Sequence, residues 1–195
     1  LWRSLDYWTE ASRVKGRRGQ LLLRGYAWDA GLSYRFRLPW QPSLAAGYAF
    51  GSGDNNLNDG VDGNFRQTSL NDNTSRYNGL KRYYYYGLLF RPELNNLRMP
   101  SVDLGIRPSE QWSLNVSYHT YRQAVPYRRL GESELTIRPS GRDARLGKEF
   151  DVVLAIRKLP NTDLNFYAGL FVPGRGFSGA PPRAFFFRQE LRYYF

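Results

Sequence analysis

The chain has 195 residues, no cysteine and a formal net charge of +11. The lack of cysteine excludes disulfides and thiol chemistry, and no apolar run approaches the roughly 20 residues that a membrane-spanning helix needs. Aromatic residues make up 16% of the sequence, which suits a β-rich core or a membrane interface. The positive charge favours an anionic partner.

Alternation of apolar and polar residues with a period of two predicts an all-β chain. Three of the predicted strands have the weakest alternation, namely 5–14, 63–70 and 80–91, and the four consecutive tyrosines from Tyr83 to Tyr86 have no readable phase. In chain order, the ten predicted strands are residues 5–14, 26–38, 43–52, 63–70, 80–91, 101–107, 112–122, 148–157, 163–172 and 184–195.

Each clear strand has one aromatic or aliphatic face and one small, polar or charged face. In 26–38, for example, Trp28 and Leu32 share one face and Asp29 and Arg35 share the other. A soluble sheet buries its apolar face, whereas a transmembrane barrel turns that face to lipid and encloses the polar one. The pattern therefore predicts a transmembrane antiparallel β-barrel, with a soluble β-sandwich as the alternative.

Short and long connections alternate along the chain. Short turns are predicted at 38–42, 108–111 and 159–162, and longer loops at 53–62, 92–99, 123–147 and 174–183. Counting back from a periplasmic C-terminus places every short turn on the periplasmic side, as in bacterial barrels. This assignment of turns and loops to the two sides requires 63–70 to be a strand, followed by a turn near Asn73–Gly79.

The polar face is predicted to line a water-filled lumen that selects anions. Arginine is permanently charged and binds carboxylates bidentately, so a set of arginines along a pore favours anions. The acidic members are expected to pair with neighbouring arginines, and ordinary cross-strand ion pairs are the alternative. The candidate pore-lining residues are Arg35, Arg37, Arg66, Lys81, Arg82, Asp103, Arg107, Asp151, Arg157, Arg188, Glu190 and Arg192.

Catalytic and metal signals are weak, so no catalytic residue, metal or cofactor is predicted. His119 is the single histidine and shares a strand face with Ser117 and Asn115, but a triad is recognised by geometry. One histidine without cysteine is a poor zinc signal. The loop 54–60 resembles the start of a calcium loop, but it lacks the glycine and the glutamate of that motif. A polar loop is predicted there, and a loose calcium site stays open.

The segment 122–147 carries six arginines that would form a basic collar at one mouth of a barrel. Such a collar attracts polyanions, and the attraction weakens with salt. Basic residues interleaved with tyrosines also suit nucleic acid. No nucleic-acid motif is present, so that class is the distant alternative and nucleic acid is not expected as a partner.

Several short motifs come in an order that resembles the bacterial alginate export porin family. They are Gly47–Gly53, Phe65–Leu70, Phe90–Leu97, Glu149 with Asp151–Val153, Gly169–Gly174 and the aromatic C-terminal strand. The resemblance implies a monomeric outer-membrane barrel of about eighteen antiparallel strands with an electropositive constriction. It also implies that residues 1–195 form one domain, the C-terminal part of that larger barrel.

Some positions depart from the family pattern. Lys81 and Arg82 match a basic pore-lining stretch, but Asn165 stands where the family has a constriction arginine. The connection 159–162 replaces a long periplasmic loop that plugs the family's pore. A related anionic polymer, or a general anion porin, therefore stays open beside alginate.

The expected function is a passive outer-membrane channel, not an enzyme, for secretion of an anionic, alginate-like exopolysaccharide. The expected partners are that polysaccharide, outer-membrane lipid, and periplasmic export proteins or other barrel segments. The alternative is a structural or plugged barrel component of a larger outer-membrane complex.

Overall fold

The computed structural model describes residues 4–67, 73–75 and 77–195, and this part of the chain is built from β-strands. Most of them are long strands with the alternating pattern described above, and three are strands of two residues. The strands are β1 (Leu5–Arg18), β2 (Leu21–Arg35), β3 (Ser43–Gly51), β4 (Val61–Asp62), β5 (Thr74–Ser75), β6 (Tyr83–Tyr84), β7 (Leu97–Ser109), β8 (Trp112–Gln123), β9 (Arg145–Ile156), β10 (Thr162–Pro173) and β11 (Ala184–Tyr193).

One antiparallel sheet contains the long strands in the order β1-β2-β3-β7-β8-β9-β10-β11. The short β4 adds a parallel pairing to β2, and β5 and β6 form a separate two-stranded ribbon. Among the described strands β1 and β11 are the two edges and do not pair with each other, so the sheet is open. No helix in the described part of the chain is long and apolar enough to cross a membrane.

The connections divide between the two ends of the sheet, as the sequence predicts. At one end, the short-turn end, lie residues 36–42, 110–111 and 157–161. At the other, the long-loop end, lie 52–96, 124–144, 174–183 and the two-residue turn between β1 and β2. The division holds because the single insertion 52–96 takes the place of two predicted strands, which leaves the direction of every earlier strand unchanged.

Two predicted strands, 63–70 and 80–91, are wrong. Residues 63–67 are irregular, and 68–70 lie outside the described residues. Within 80–91 only Tyr83 and Tyr84 pair, with Ser75 and Thr74, so the turn predicted near 73–79 instead links β5 to β6. The four tyrosines do not alternate because their side chains pack in different clusters of the core; Tyr83 lies in one and Tyr86 in another.

Strand boundaries also differ from the prediction. The β1–β2 hairpin is longer, since β1 continues to Arg18 and β2 begins at Leu21. Strand β7 begins at Leu97, four residues before the predicted start. These added residues extend the ladder toward the long-loop end, where the apolar residues no longer keep to the outward face: Leu97 and Met99 are buried.

The sheet exposes its apolar face and buries its polar face. Leu104 is 57% exposed and Phe187 is 60% exposed, whereas Asp103 is 4% exposed and Glu149 is fully buried. A soluble β-sandwich would bury the apolar rows, so this distribution contradicts that alternative. It agrees with the predicted barrel, in which the apolar face contacts lipid.

An inward-folded stretch of the long insertion covers the polar face. We call residues 77–94 the inner segment. Phe90 is fully buried, and its ring stacks on Phe171 at 5.0 Å and meets Tyr121 edge-on at 4.8 Å between ring centroids. Leu89 and Leu94 join the same cluster. The hydrophobic core therefore lies between the inner segment and the long-loop half of the polar face.

The close approach of Trp8 to β2 requires glycine at position 31. A Cβ at Gly31 would lie 2.2 Å from the Trp8 ring and 2.6 Å from the Ala46 carbonyl oxygen. We expect Gly31→Ala to destabilise the folded protein by about 1–3 kcal/mol through overpacking, measured by thermal unfolding. Gly16→Ala is the control, because its Cβ would meet only Leu23 at 3.9 Å; equal melting temperatures for the two variants would contradict the expectation.

The exposed apolar face makes a second testable prediction. Leu104 lies in the middle of β7 beside Leu44 and Val116, so Leu104→Lys should destabilise the bilayer-inserted protein by about 2–4 kcal/mol. Leu159→Lys is a matched control, because Leu159 is 59% exposed but lies in a short turn. Unfolding titrations in lipid vesicles measure both, and an unaffected Leu104→Lys would show that this face does not contact hydrocarbon.

Candidate functional site

The tip of the inner segment reaches the short-turn end of the sheet. The Asn78 side-chain amide donates to the Gln41 carbonyl oxygen at 2.7 Å, in the turn between β2 and β3. The Leu80 backbone N–H donates to Ser113 Oγ at 2.8 Å, near the start of β8. Because the segment enters from the long-loop end, it spans the polar face from one end to the other.

Asp103 holds the middle of the inner segment. Its Oδ2 accepts hydrogen bonds from the Tyr83 hydroxyl at 2.5 Å and from Ser117 at 2.6 Å, and its Oδ1 accepts from Asn115 at 2.9 Å. Burial, together with the nearby Asp103 carboxylate, raises the pKa of Tyr83 well above its ordinary value. The phenol therefore stays protonated and remains a donor to Asp103.

Asp29 on β2 forms the second anchor. Its Oδ2 accepts a hydrogen bond from the Tyr86 hydroxyl at 2.6 Å, and its Oδ1 accepts from Trp8 Nε1 at 2.8 Å. This carboxylate thus joins the inner segment, β2 and the edge strand β1.

Two carboxylates on β9 bind the backbone of the inner segment. Glu149 accepts from the N–H groups of Leu89 at 2.7 Å and Phe90 at 2.9 Å, and Asp151 accepts from that of Leu88 at 3.1 Å. Hydrogen bonds to a charged group contribute about 1.5–3 kcal/mol each, and a buried carboxylate left without partners is strongly destabilising. These contacts hold the segment on the sheet.

Gly87 allows the chain to turn beside these carboxylates. Its φ is +112°, and a Cβ there would lie 2.4 Å from the Tyr121 hydroxyl oxygen. Only glycine readily adopts this conformation and leaves room for the Tyr121 side chain.

The expected partners of Asp103 and Asp151 were arginines, and the structure differs. Among the described residues, their partners are groups of the inner segment and polar neighbours on the sheet. His119 Nε2 lies 3.4 Å from Asp151 Oδ2, but the contact lacks hydrogen-bond geometry. These acids anchor a packed segment and do not alternate with arginines along an open wall.

Three predicted cations, Lys81, Arg188 and Arg192, surround the carboxylate of Glu190 on β11, near the short-turn end. Its carboxylate lies 2.7 Å from Lys81 Nζ, 3.1 Å from Arg192 Nε and 4.0 Å from Arg188 Nη2. The Asn165 amide also donates to it, at 3.2 Å. The side chains of Arg188 and Arg192 are about half exposed, so both can still reach a solute.

Arg157 extends this group across β9 and β10. Its Nε lies 2.7 Å from Asp163 Oδ1, and its Nη1 donates to the Asn165 side-chain oxygen at 3.2 Å. We call Lys81, Arg157, Arg188 and Arg192, with Asp163 and Glu190, the basic cluster. Four cations share two carboxylates there, which leaves a positive surplus of two.

Three other predicted arginines lie at the same end of the sheet. Arg35 ends β2, Arg37 is exposed in the following turn, and the Arg107 backbone N–H donates to the Trp40 carbonyl oxygen at 2.7 Å. Arg107 Nε is buried without a hydrogen-bond partner among the described residues. These three arginines therefore add to the positive charge at the short-turn end.

Two predicted residues are separate from this group. Arg82 is exposed on the inner segment and donates to the Thr74 carbonyl oxygen at 3.1 Å. Arg66 lies at the long-loop end, 2.5 Å from Asp62, and lines a cleft of about 260 Å³ with Arg18 and Arg129. The structure thus places Arg66 at the opposite mouth from the basic cluster.

The calcium-like loop forms local turns. Asp54 and Asp59 accept hydrogen bonds from the backbone N–H groups two residues later, at 3.0 and 2.8 Å. In the described ranges no cluster of three or more acidic, histidine or cysteine side chains could hold a metal ion.

Sequence reasoning missed the anchoring role of Asp29 and Glu149 and the central place of Asn165. Both acids were visible on the polar face, but nothing in the alternation indicated which partner each would meet. Asn165 was noted only as a departure from a family arginine; it is fully buried and hydrogen-bonds both Arg157 and Glu190.

A sheet with an exposed apolar face and a buried, polar interior face defines an outer-membrane β-barrel protein. The family model described as alginate export matches residues 2–188, and the chain belongs to this family of outer-membrane transport proteins, which are not enzymes. The alginate production protein AlgE of Azotobacter vinelandii is 27% identical over 136 residues, or 66% of this chain. The chain spans 28% of the length of that curated relative in this match.

The role of Glu149 can be tested by removing one of its acceptor oxygens. Glu149→Gln leaves an amide nitrogen facing one backbone N–H, so we expect a loss of about 1–3 kcal/mol and a looser inner segment. Limited trypsin digestion should then cut faster after Lys81 and Arg82. Glu110→Gln is the control, because Glu110 is exposed in a turn; unchanged cleavage in Glu149→Gln would show that Glu149 does not hold the segment.

Proposed function

We propose that this chain is part of a passive outer-membrane channel that carries an anionic, alginate-like exopolysaccharide to the cell surface. The observation that carries the proposal is the basic cluster, whose four cations share two carboxylates beside the inward face of the sheet. Membership of the alginate export family and the name of its Azotobacter relative support the choice of polymer.

The mechanism requires binding that is favourable and easily reversed. Arg188 and Arg192 are permanently charged and about half exposed, so they can pair with the carboxylates of a passing uronate chain. Both already share Glu190, and this internal carboxylate weakens their hold on any one sugar. A charged polymer then exchanges between weak sites without a covalent step or an energy source of the channel's own.

We place the short-turn end on the periplasmic side, because bacterial barrels have short periplasmic turns and longer outer loops. The basic cluster, with Arg35, Arg37 and Arg107 at the same end, then lies at the entrance. Long-range attraction would concentrate the polyanion there before it enters, and the attraction would weaken with salt.

We also propose that residues 1–195 act as one domain that contributes to a larger barrel. The described sheet is open, and unpaired edges on β1 and β11 leave backbone groups unsatisfied in a bilayer. Further strands would complete the ring, and outer-membrane lipid would contact the exposed apolar face. Periplasmic export proteins are the further partners in this proposal.

A structural or plugged barrel component is the second candidate. The inner segment favours it, because this segment covers much of the polar face with buried contacts. A general anion porin is the third, since a basic cluster attracts small anions as well as polymers. A plugged component would show no conductance, whereas both channels would conduct. Added alginate would block the current of a polymer pathway but not that of a small-anion pore.

The basic cluster makes a prediction about ion selectivity in planar bilayers. Arg192→Gln removes one charge from the cluster, and one charge at close range is worth roughly 1 kcal/mol in water, so the anion-to-cation permeability ratio should fall by about fivefold at low salt. Glu190→Gln should raise the same ratio, because it removes the carboxylate that the cations share. Reversal potentials under a salt gradient measure both.

Arg175→Gln is the matched control, because Arg175 is exposed in a loop at the long-loop end. It should leave the ratio close to that of the unmodified protein. A cation-selective or silent unmodified channel would refute the proposal, as would equal effects of Arg192→Gln and Arg175→Gln.

A further inference from the structure

Four of the carboxylates on the inward face of the sheet are covered. Asp29 is on β2, Asp103 on β7, and Glu149 and Asp151 on β9, and none is more than 6% exposed. Every one accepts a hydrogen bond from the inner segment. Without that segment, the middle of this wall would present acidic groups to the lumen, and such groups repel a polyanion.

The inner segment itself carries the opposite charge. Residues 77–94 include Lys81, Arg82 and Arg91 against a single acid, Glu93. Lys81 belongs to the basic cluster, Arg82 is exposed, and Arg91 lies over the Tyr84 ring at 3.6 Å and 2.7 Å from Glu134. The segment therefore covers an acidic wall and replaces it with a basic surface.

We propose that the inner segment is a fixed lining that masks the carboxylates of the wall and thereby gives the lumen its preference for anions. This inference rests on the proposed function as an anion channel. It assigns the segment a role in selectivity, which differs from that of a plug whose removal would simply widen the pore.

The contacts along the segment indicate a fixed element. It is anchored at the short-turn end by Asn78, in the middle by Tyr83 and Tyr86, and toward the long-loop end by Phe90. Tyr83 is 3% exposed and Phe90 is fully buried. Withdrawing the segment would remove a hydrogen-bond donor from four carboxylates at once, so we expect the wall and its lining to stay together.

A deletion tests the masking directly. In the full-length protein, residues 77–92 are replaced by a short Gly-Ser linker, and conductance and reversal potential are measured in planar bilayers. We expect a larger conductance and an anion-to-cation permeability ratio lowered by about tenfold or more. A larger conductance with an unchanged ratio would overturn the inference and identify a simple plug.

The deletion also removes three cations, so the carboxylates need a separate test. Within the deletion variant, changing Asp29 and Asp103 to Asn, with Glu149→Gln and Asp151→Asn, should restore much of the anion preference. In the intact background, Lys81→Gln, Arg82→Gln and Arg91→Gln together should lower the ratio less than the deletion does. No recovery in the neutralised deletion variant would show that exposed carboxylates are not the cause.

Cysteine labelling tests the fixed lining without a deletion, and it decides the question if the shortened protein fails to fold. The chain has no cysteine, so a single one can be introduced. Ser117→Cys places a thiol beside Asp103 under the inner segment, where Ser117 is 3% exposed. Arg188→Cys is the accessible control.

A negatively charged methanethiosulfonate reagent is added to the open channel, with and without alginate. We expect Arg188→Cys to react and Ser117→Cys to stay unmodified under both conditions. Reaction of Ser117→Cys at the rate of the control would overturn the inference, because the segment would then leave the wall. An intact channel that does not prefer anions refutes the proposed function instead, so the two failures are distinguishable.

Discussion

The structure depends on one constraint, which is that this sheet buries its polar face. Carboxylates that are removed from water must be hydrogen-bonded, and Asp29, Asp103, Glu149 and Asp151 each accept at least one hydrogen bond from the inner segment. The same contacts bring Phe90 and Tyr86 over the sheet, and these aromatic side chains build the hydrophobic core at its long-loop half. The hydrogen bonds and the packing therefore stabilise each other, because the wall carboxylates need donors from the segment and the aromatic residues of the segment need the wall to be buried.

Charge is distributed along the lumen in a way that follows from this constraint. The acids in the middle of the wall are used for anchoring, so they are hidden from solvent. At the short-turn end, accessible positive charge lies on the guanidinium groups of the basic cluster, where Glu190 and Asp163 neutralise part of it. In the proposed channel, a polyanion would meet a partly compensated positive surface, which suits transient binding better than tight capture.

The main sheet could be predicted from the sequence because each long strand carries its own alternating pattern. Trp28 and Asp29, or Asp103 and Leu104, already show which face is which without reference to any other strand. The inner segment could not be predicted in this way. Tyr83 and Tyr86 reach carboxylates on different strands, so their positions have no period, and aromatic content alone predicts a strand there. Five residues of the basic cluster were candidates from the sequence, but Asp163 was not, and none of the contacts within the cluster could be predicted.

The class of the protein can be predicted from local pattern alone, because the period of two and the polarity of the two faces are properties of each strand. Which charges meet depends on how the chain packs. Lys81 and Glu190 are 109 residues apart in the chain and 2.7 Å apart in space, and Glu149 binds backbone N–H groups about 60 residues before it. Such pairs depend on the path of the insertion across the sheet, and no local pattern records that path.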